Sequence, residues 1–298
     1  MDKRKLRDLI GTKLMLMVVL FISSIFFLIF ILLFYKSTLV LERTSIIDVL
    51  FSSTWNPDYG QFGLAPVIVG TMLVTGIALI IAIPISLLSA IYIAEYAPKR
   101  IRRILRPFID VLAGVPSVVY GLCAFLILVP LVKEVIAPWF GVQSTGLCIF
   151  TAAIALSVMV FPIIISLCIE SFDAIPIALK EASLSVGATK WETIKKVVFR
   201  ASAPSVIAAI LLGFGRAFGE TIAVNMVIGN MFNQIPSSLF QPGQTLASLI
   251  ASKYGELMSI PLHESALMLV ALILFVVVLL FNLAGLLILR RAKKRWKY

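Results

Sequence analysis

The sequence predicts an all-α integral membrane protein with six spanning helices. Sixty per cent of its 298 residues are hydrophobic and the mean hydropathy is +1.06. Only 14% are charged, and most of those charges fall between long uncharged runs. A soluble domain of this size does not cover itself with so little charge. Each run meets or exceeds the roughly 20 residues that a bilayer crossing needs.

The first run, Leu14–Tyr35, is too long for the apolar part of a signal peptide. Tyr35-Lys36-Ser37-Thr38 is a poor cleavage site, so the segment reads as a retained helix. The second run is Tyr59–Ala94 and the third is Val111–Val132. In the third, Gly114, Pro116 and Gly121 lie close together and predict a kinked or locally unwound helix. Freed N–H groups and the Ser117 hydroxyl would then face a water-filled path; the alternative is close helix packing through small residues. Asp110, four residues after Arg106, reads as half of a surface ion pair. The fourth run is Val135–Ile169. Ala201–Gly215 leads into the fifth helix, expected over about 202–230. Gln234, Pro236, Pro242 and Gly243 argue against a seventh span. Thr245–Glu256 reads instead as a short outer helix with Leu246, Leu249, Ile250 and Tyr254 toward the membrane. The sixth span is Ser265–Leu289.

Basic residues orient the chain. Lys3, Arg4, Lys5, Arg7 and Lys13 precede the first helix. Lys99, Arg100, Arg102, Arg103 and Arg106 separate the second and third. Further basic clusters lie between the fourth and fifth helices and after the sixth. One side thus holds 21 Lys and Arg residues, against four on the other (Lys36, Arg43, Lys133 and Lys253). Cytoplasmic loops carry the excess, so both termini are expected in the cytoplasm. The net charge of +11 follows from topology and calls for no nucleic-acid partner. Cys123, Cys148 and Cys168 lie in apolar runs without metal-ligand spacing and read as buried free thiols. His263, the one histidine, reads as an ordinary interfacial side chain.

No G-x-x-x-x-G-K-[ST], G-x-S-x-G, H-E-x-x-H or C-x-x-C occurs, and no cofactor box is present. The chain therefore hydrolyses no nucleotide by the P-loop route, and energy for any driven work comes from a partner. The loop from about Ser171 to Arg200 is suited to receive one. Pro176 opens a short helix, Gly187 ends it, and Thr189-Lys190-Trp191-Glu192 matches a capping box. A second helix then carries Ile194, Val197 and Val198 back toward the membrane.

Arg216 and Glu220 stand inside the apolar stretch before Thr221. A charge in hydrocarbon costs roughly 3 kcal/mol on insertion scales, so such residues point to function by default. Four residues apart in the fifth helix, the two are expected to share one face. The plain alternative is an ion pair that only holds helices together.

Glu181-Ala182-Ser183, with Gly187 six positions after the Glu, resembles the EAA loop of ABC-importer permeases. In that family the loop supplies a helix that docks on the ATPase subunit. Ser183 stands where the pattern has a third Ala, and Val197-Val198-Phe199-Arg200 replaces its Ile-x-Leu-Pro ending. Ala113-Gly114-Val115-Pro116-Ser117-Val118-Val119-Tyr120-Gly121 resembles the helix-three motif of phosphate-importer (Pst) permeases. Gly215-Arg216-Ala217-Phe218-Gly219-Glu220-Thr221-Ile222-Ala223-Val224 resembles their helix-five motif, and Gly229-Asn230 and Leu246–Ala251 follow in order. The Ile-Ala-Val after Gly-Glu-Thr is closer to the C-type subunit than to the A-type, where Ala-Pro is usual.

The resemblance implies a MetI-like permease, not an enzyme, and no cofactor. Residues 1–64 would be a basic N-terminus, first helix and outer loop. Residues 65–290 would be a five-helix permease core with its coupling loop at 171–201, and 291–298 a basic tail. It implies a second Pst permease subunit, two ATP-binding subunits and an extracytoplasmic phosphate-binding protein as partners, in the inner membrane. Arg216, Glu220 and Ser117 would line the path of inorganic phosphate, and Glu181, Ala182, Ser183 and Gly187 would couple it to the ATPase. An A-type subunit, a permease for another oxyanion, and an anion channel or intramembrane enzyme are the rivals.

Overall fold

A computed structural model describes residues 3–257 and 260–295. Six of its helical stretches are long and apolar enough to cross a membrane. The first is α1 (Lys3–Leu41). A short unit follows, with α2 (Ile46–Phe51) and an antiparallel pair of β1 (Trp55–Asn56) and β2 (Gln61–Phe62), in which Trp55 faces Phe62. The second span is α3 (Ala65–Ile91), prolonged by a π-helical turn at Tyr92–Tyr96. Next comes α4 (Lys99–Gly114), an amphipathic helix that belongs to no span.

The third span joins α5 (Ser117–Cys123), α6 (Val129–Leu131) and α7 (Ala137–Trp139) through π turns at Ala124–Leu128 and Val132–Ile136. Each π turn is followed two residues on by a proline, Pro130 or Pro138, whose missing N–H interrupts the regular hydrogen-bond ladder. The fourth span is α8 (Ile149–Asp173). Beyond the loop helix α9 (Ile177–Ser185), the fifth span runs from α10 (Lys190–Thr193) through a π turn into α11 (Phe199–Gly219). Then come α12 (Ile222–Val227), α13 (Leu246–Leu257) and the sixth span α14 (Pro261–Arg295).

The centre of the bundle is α8. In its most apolar window 61% of residues are buried, against none for α1, which leaves α1 at the periphery. One core joins α8 to α3, α11 and α12 through Val74, Leu156, Val160, Ile164 and Val224. A second gathers Val40, Trp55, Phe62, Val67, Leu246, Leu249 and Val270. The N–H groups at the start of α8 are met by the end of α12 and the loop that follows it. Cys148, Ile149 and Phe150 donate to the carbonyls of Val227, Gln241 and Leu239, filling bonds that a helix start leaves open.

Several expectations are corrected by the packing. The third span starts at Ser117 rather than Val111, and the fourth at Ile149 rather than Val135. Val111–Gly114 close α4 instead, and Val135–Trp139 complete the third span before a loop at 140–148. The fifth helix covers 190–219 rather than about 202–230. Arg106 pairs with Asp173, which also takes Arg102, while Asp110 accepts a hydrogen bond from Ser166 at 3.0 Å. Cys148 and Cys168 are buried free thiols, but Cys123 is exposed on this chain. Leu246 and Leu249 point into the protein rather than the membrane and are fully buried, while Tyr254 is exposed. The Leu246 N–H donates to Thr71 Oγ1 at 2.9 Å, which draws the start of α13 onto α3. His263 is buried in the protein at the start of α14.

Candidate functional site: two broken helices and a pinned loop

The chain breaks twice inside its most informative motifs. α4 stops at Gly114, Val115 and Pro116 are extended, and α5 starts at Ser117. α11 stops at Gly219, Glu220 is extended at φ −70 and ψ 121, and α12 starts at Ile222. The two restarted helices lie against each other. Gly121 of α5 sits where a Cβ would come 2.9 Å from Ala223 Cα and 2.8 Å from Met226 Sδ of α12. Only a glycine permits that approach. Small-residue packing and an unwound start, which the sequence leaves as alternatives, therefore coexist in one helix.

Arg216 and Glu220 do not share a helical face, because the helix ends between them. Among the described residues they form no ion pair with each other. Arg216 is half-buried, and its Nε is buried with no hydrogen-bond acceptor. Glu220 turns instead to the next helix, where Oε1 accepts from the Ala223 N–H at 3.4 Å. A carboxylate at a helix N-terminus is favourable in itself. Ser117 is half-buried in the first turn of α5.

Tyr120 is the residue that sequence reasoning passed over. Its hydroxyl donates to the Leu112 carbonyl at 2.9 Å, spanning the α4–α5 break and satisfying a helix-end acceptor. The tyrosine stood in the helix-three motif, but nothing in its spacing marked a bond across eight residues.

On the other flank the loop folds as its local signals predict. α9 follows Pro176, and Gly187 closes it at φ +86. Thr189 and Glu192 form the reciprocal capping box. Ser183 Oγ lies 3.0 Å from Thr193 Oγ1, so the serine in place of alanine ties the two loop helices together. Glu181 and Ala182 lie on α9, which buries none of its residues. Ile177, Leu179, Leu184, Val186 and Trp191 are all exposed around the turn. Two contacts hold the loop to the end of the second span. Lys180 Nζ meets Glu95 Oε1 at 2.6 Å, and Lys190 Nζ sits 4.5 Å from the Tyr96 ring centroid.

Residues 82–298 match the family described as the binding-protein-dependent transport system inner membrane component. The chain belongs to this family. Its relatives narrow the kind. It is 40% identical over 260 residues to the phosphate transport system permease protein PstC of Pasteurella multocida, covering 82% of this chain and 80% of that one. It is 35% identical to the probable PstC of Methanocaldococcus jannaschii, covering 99% and 96%. Among solved structures, the MetNI methionine ABC transporter superposes with a TM-score of 0.60 at 19% identity, covering 77% of this chain and 95% of that one. A bacterial alginate ABC transporter gives 0.56 at 18%, covering 96% and 99%. The fold is therefore that of an ABC-importer permease, and the chain is a multi-pass membrane transport component rather than an enzyme.

Proposed function

We propose that the chain is a membrane subunit of an ATP-driven phosphate importer, of the C type, and that the broken end of α11 is part of the phosphate path. Its likeness to PstC proteins over most of its length supports the substrate. The observation that carries the site is Arg216, a cation within an apolar span whose Nε is buried without an acceptor. A guanidinium offers a planar fork of donors to two oxygens of a passing oxyanion. Glu220 can only accept, so it welcomes an anion that brings its own proton. Phosphate at neutral pH carries a P–OH and sulfate does not. Ser117, at the start of α5, adds a hydroxyl donor to the same path.

The path lies between this chain and a second Pst permease. Of the two ATP-binding subunits, one docks on α9 and the Gly187 turn through the exposed apolar side chains around Glu181, Ala182 and Ser183. An extracytoplasmic phosphate-binding protein delivers substrate to the face that carries α13. Both termini lie in the cytoplasm, as the distribution of basic residues requires. The test is phosphate uptake by the reconstituted importer, with and without ATP. Uptake that requires ATP and is lost in Arg216→Gln at normal complex yield is expected. Uptake without ATP would make the protein a channel and overturn the assignment.

A further inference from the structure

The amphipathic helix α4 presents three arcs. Ile109 and Leu112, with Arg102 and Arg106, face the bundle, and both arginines are held by Asp173. Ile101, Ile104, Phe108 and Val111 form a second arc at helical spacing, and it is exposed: Ile104 is 70% accessible and Val111 67%. Lys99, Arg100 and Arg103 make the third, also exposed and without an ion pair among the described residues. Beside the apolar arc lies an open groove of about 500 Å³ between α4, α3 and α8, lined by Leu88, Tyr92, Ile93, Phe108, Leu112 and Ile165. The helix stands between the end of the second span and the start of the third, at the level of the loop that Lys180 ties to Glu95.

Adjacent apolar and basic arcs on a helix that does not span are the pattern of a helix lying in a membrane interface. We propose that α4 and this groove seat an anionic phospholipid of the leaflet on the coupling-loop side. An acyl chain fills the groove along Phe108 and Tyr92, and the headgroup phosphate meets Arg100 and Arg103. Charge complementarity selects this occupant. An apolar helix from another subunit would cover Ile104 and Phe108 but leave three cations unmatched.

The full-length chain is purified in mild detergent with the subunits that accompany it, then equilibrated with equimolar phosphatidylglycerol and phosphatidylcholine. Retained lipids are counted by native mass spectrometry. The unaltered protein is expected to keep phosphatidylglycerol preferentially. Arg100→Gln with Arg103→Gln should lower that preference by about thirty-fold, the effect of two basic residues at a membrane surface. The single change Arg103→Gln, at about five-fold, tests the same contact should the double variant not purify. Arg100→Lys with Arg103→Lys should keep the preference, and Phe108→Ser should reduce retention of both lipids. An unchanged preference in the glutamine variants overturns the proposal. So does an equal loss from Arg290→Gln with Arg291→Gln in the basic tail, which would mean general attraction. Release of a protein subunit by Phe108→Ser, with the lipid count intact, would assign the face to that subunit instead.

Discussion

At the scale of single residues, Arg216 and Glu220 have separate employments. Arg216 keeps a buried donor open, and Glu220 caps α12. An ion pair that merely fastens helices would predict rescue when both charges are removed together. The geometry predicts otherwise. Arg216→Gln should cut phosphate uptake about 10- to 100-fold, the worth of charged hydrogen bonds to an anion. Adding Glu220→Gln should not restore it. Uptake and complex yield measured in both variants decide the matter, and a double variant that transports normally leaves only the helix-pairing role. Glu220→Gln alone should weaken discrimination against sulfate, since an amide donates as well as accepts. Competition of sulfate with labelled phosphate reads this directly.

Among the elements, the loop helices and the two breaks are built on opposite principles. The loop's turns are local, set by a Pro start, a Gly stop and a capping box, and the bundle only pins it through Glu95 and Tyr96. Nothing lies within 4 Å of a Cβ built at Gly187, so a side chain there meets no obstacle, only a positive φ of 86°. Gly187→Val should therefore leave the spans intact and abolish uptake by distorting the turn alone, as β-branched residues resist that conformation. Normal ATP hydrolysis stimulated by the loaded binding protein, together with normal uptake, would remove the turn from coupling. The α5–α12 contact is tertiary, and there the obstacle is steric. Gly121→Val should force α5 from Ala223 and Met226 and disturb the site, while Gly114→Ala, which has open space, should be tolerated for size. Thermal stability of the purified complex compares the two; equal losses would mean that Gly121 is not a contact point.

The whole molecule is a peripheral α1, a central α8 and a bundle that carries a loop and α13 at the end away from the Gly187 turn. Lys36 and Glu264 join α1 to α14 at that end at 2.9 Å. The charge distribution predicts this end outside and the Gly187 turn inside. In a background lacking Cys123, Cys148 and Cys168, cysteines at Ser185 and Ser237 should label from opposite sides. Both residues are hydroxyl-bearing and exposed, so small thiols there disturb little. Labelling of both by an impermeant reagent added to intact cells would refute the six-span arrangement with cytoplasmic termini.

Six spans were legible because a bilayer reads hydrophobic length, a property of consecutive residues. The coupling loop was legible because caps and stops act within one helical turn. The break after Gly219 was not: the stretch keeps an apolar composition on both sides, and Gly-Glu-Thr carries no proline to announce a stop. Nor did Arg106 and Asp110 reveal their partners, Asp173 and Ser166, which arrive from another helix 67 and 56 residues away. Leu246 and Leu249 were readable as apolar but not as core, since only the contact with Thr71 turns them inward. By itself the sequence determined what enters the membrane and where the loop turns, because those depend on local length and chemistry. The tertiary structure decided which charge meets which partner and where helices stop, because those depend on groups that only folding brings within bonding distance.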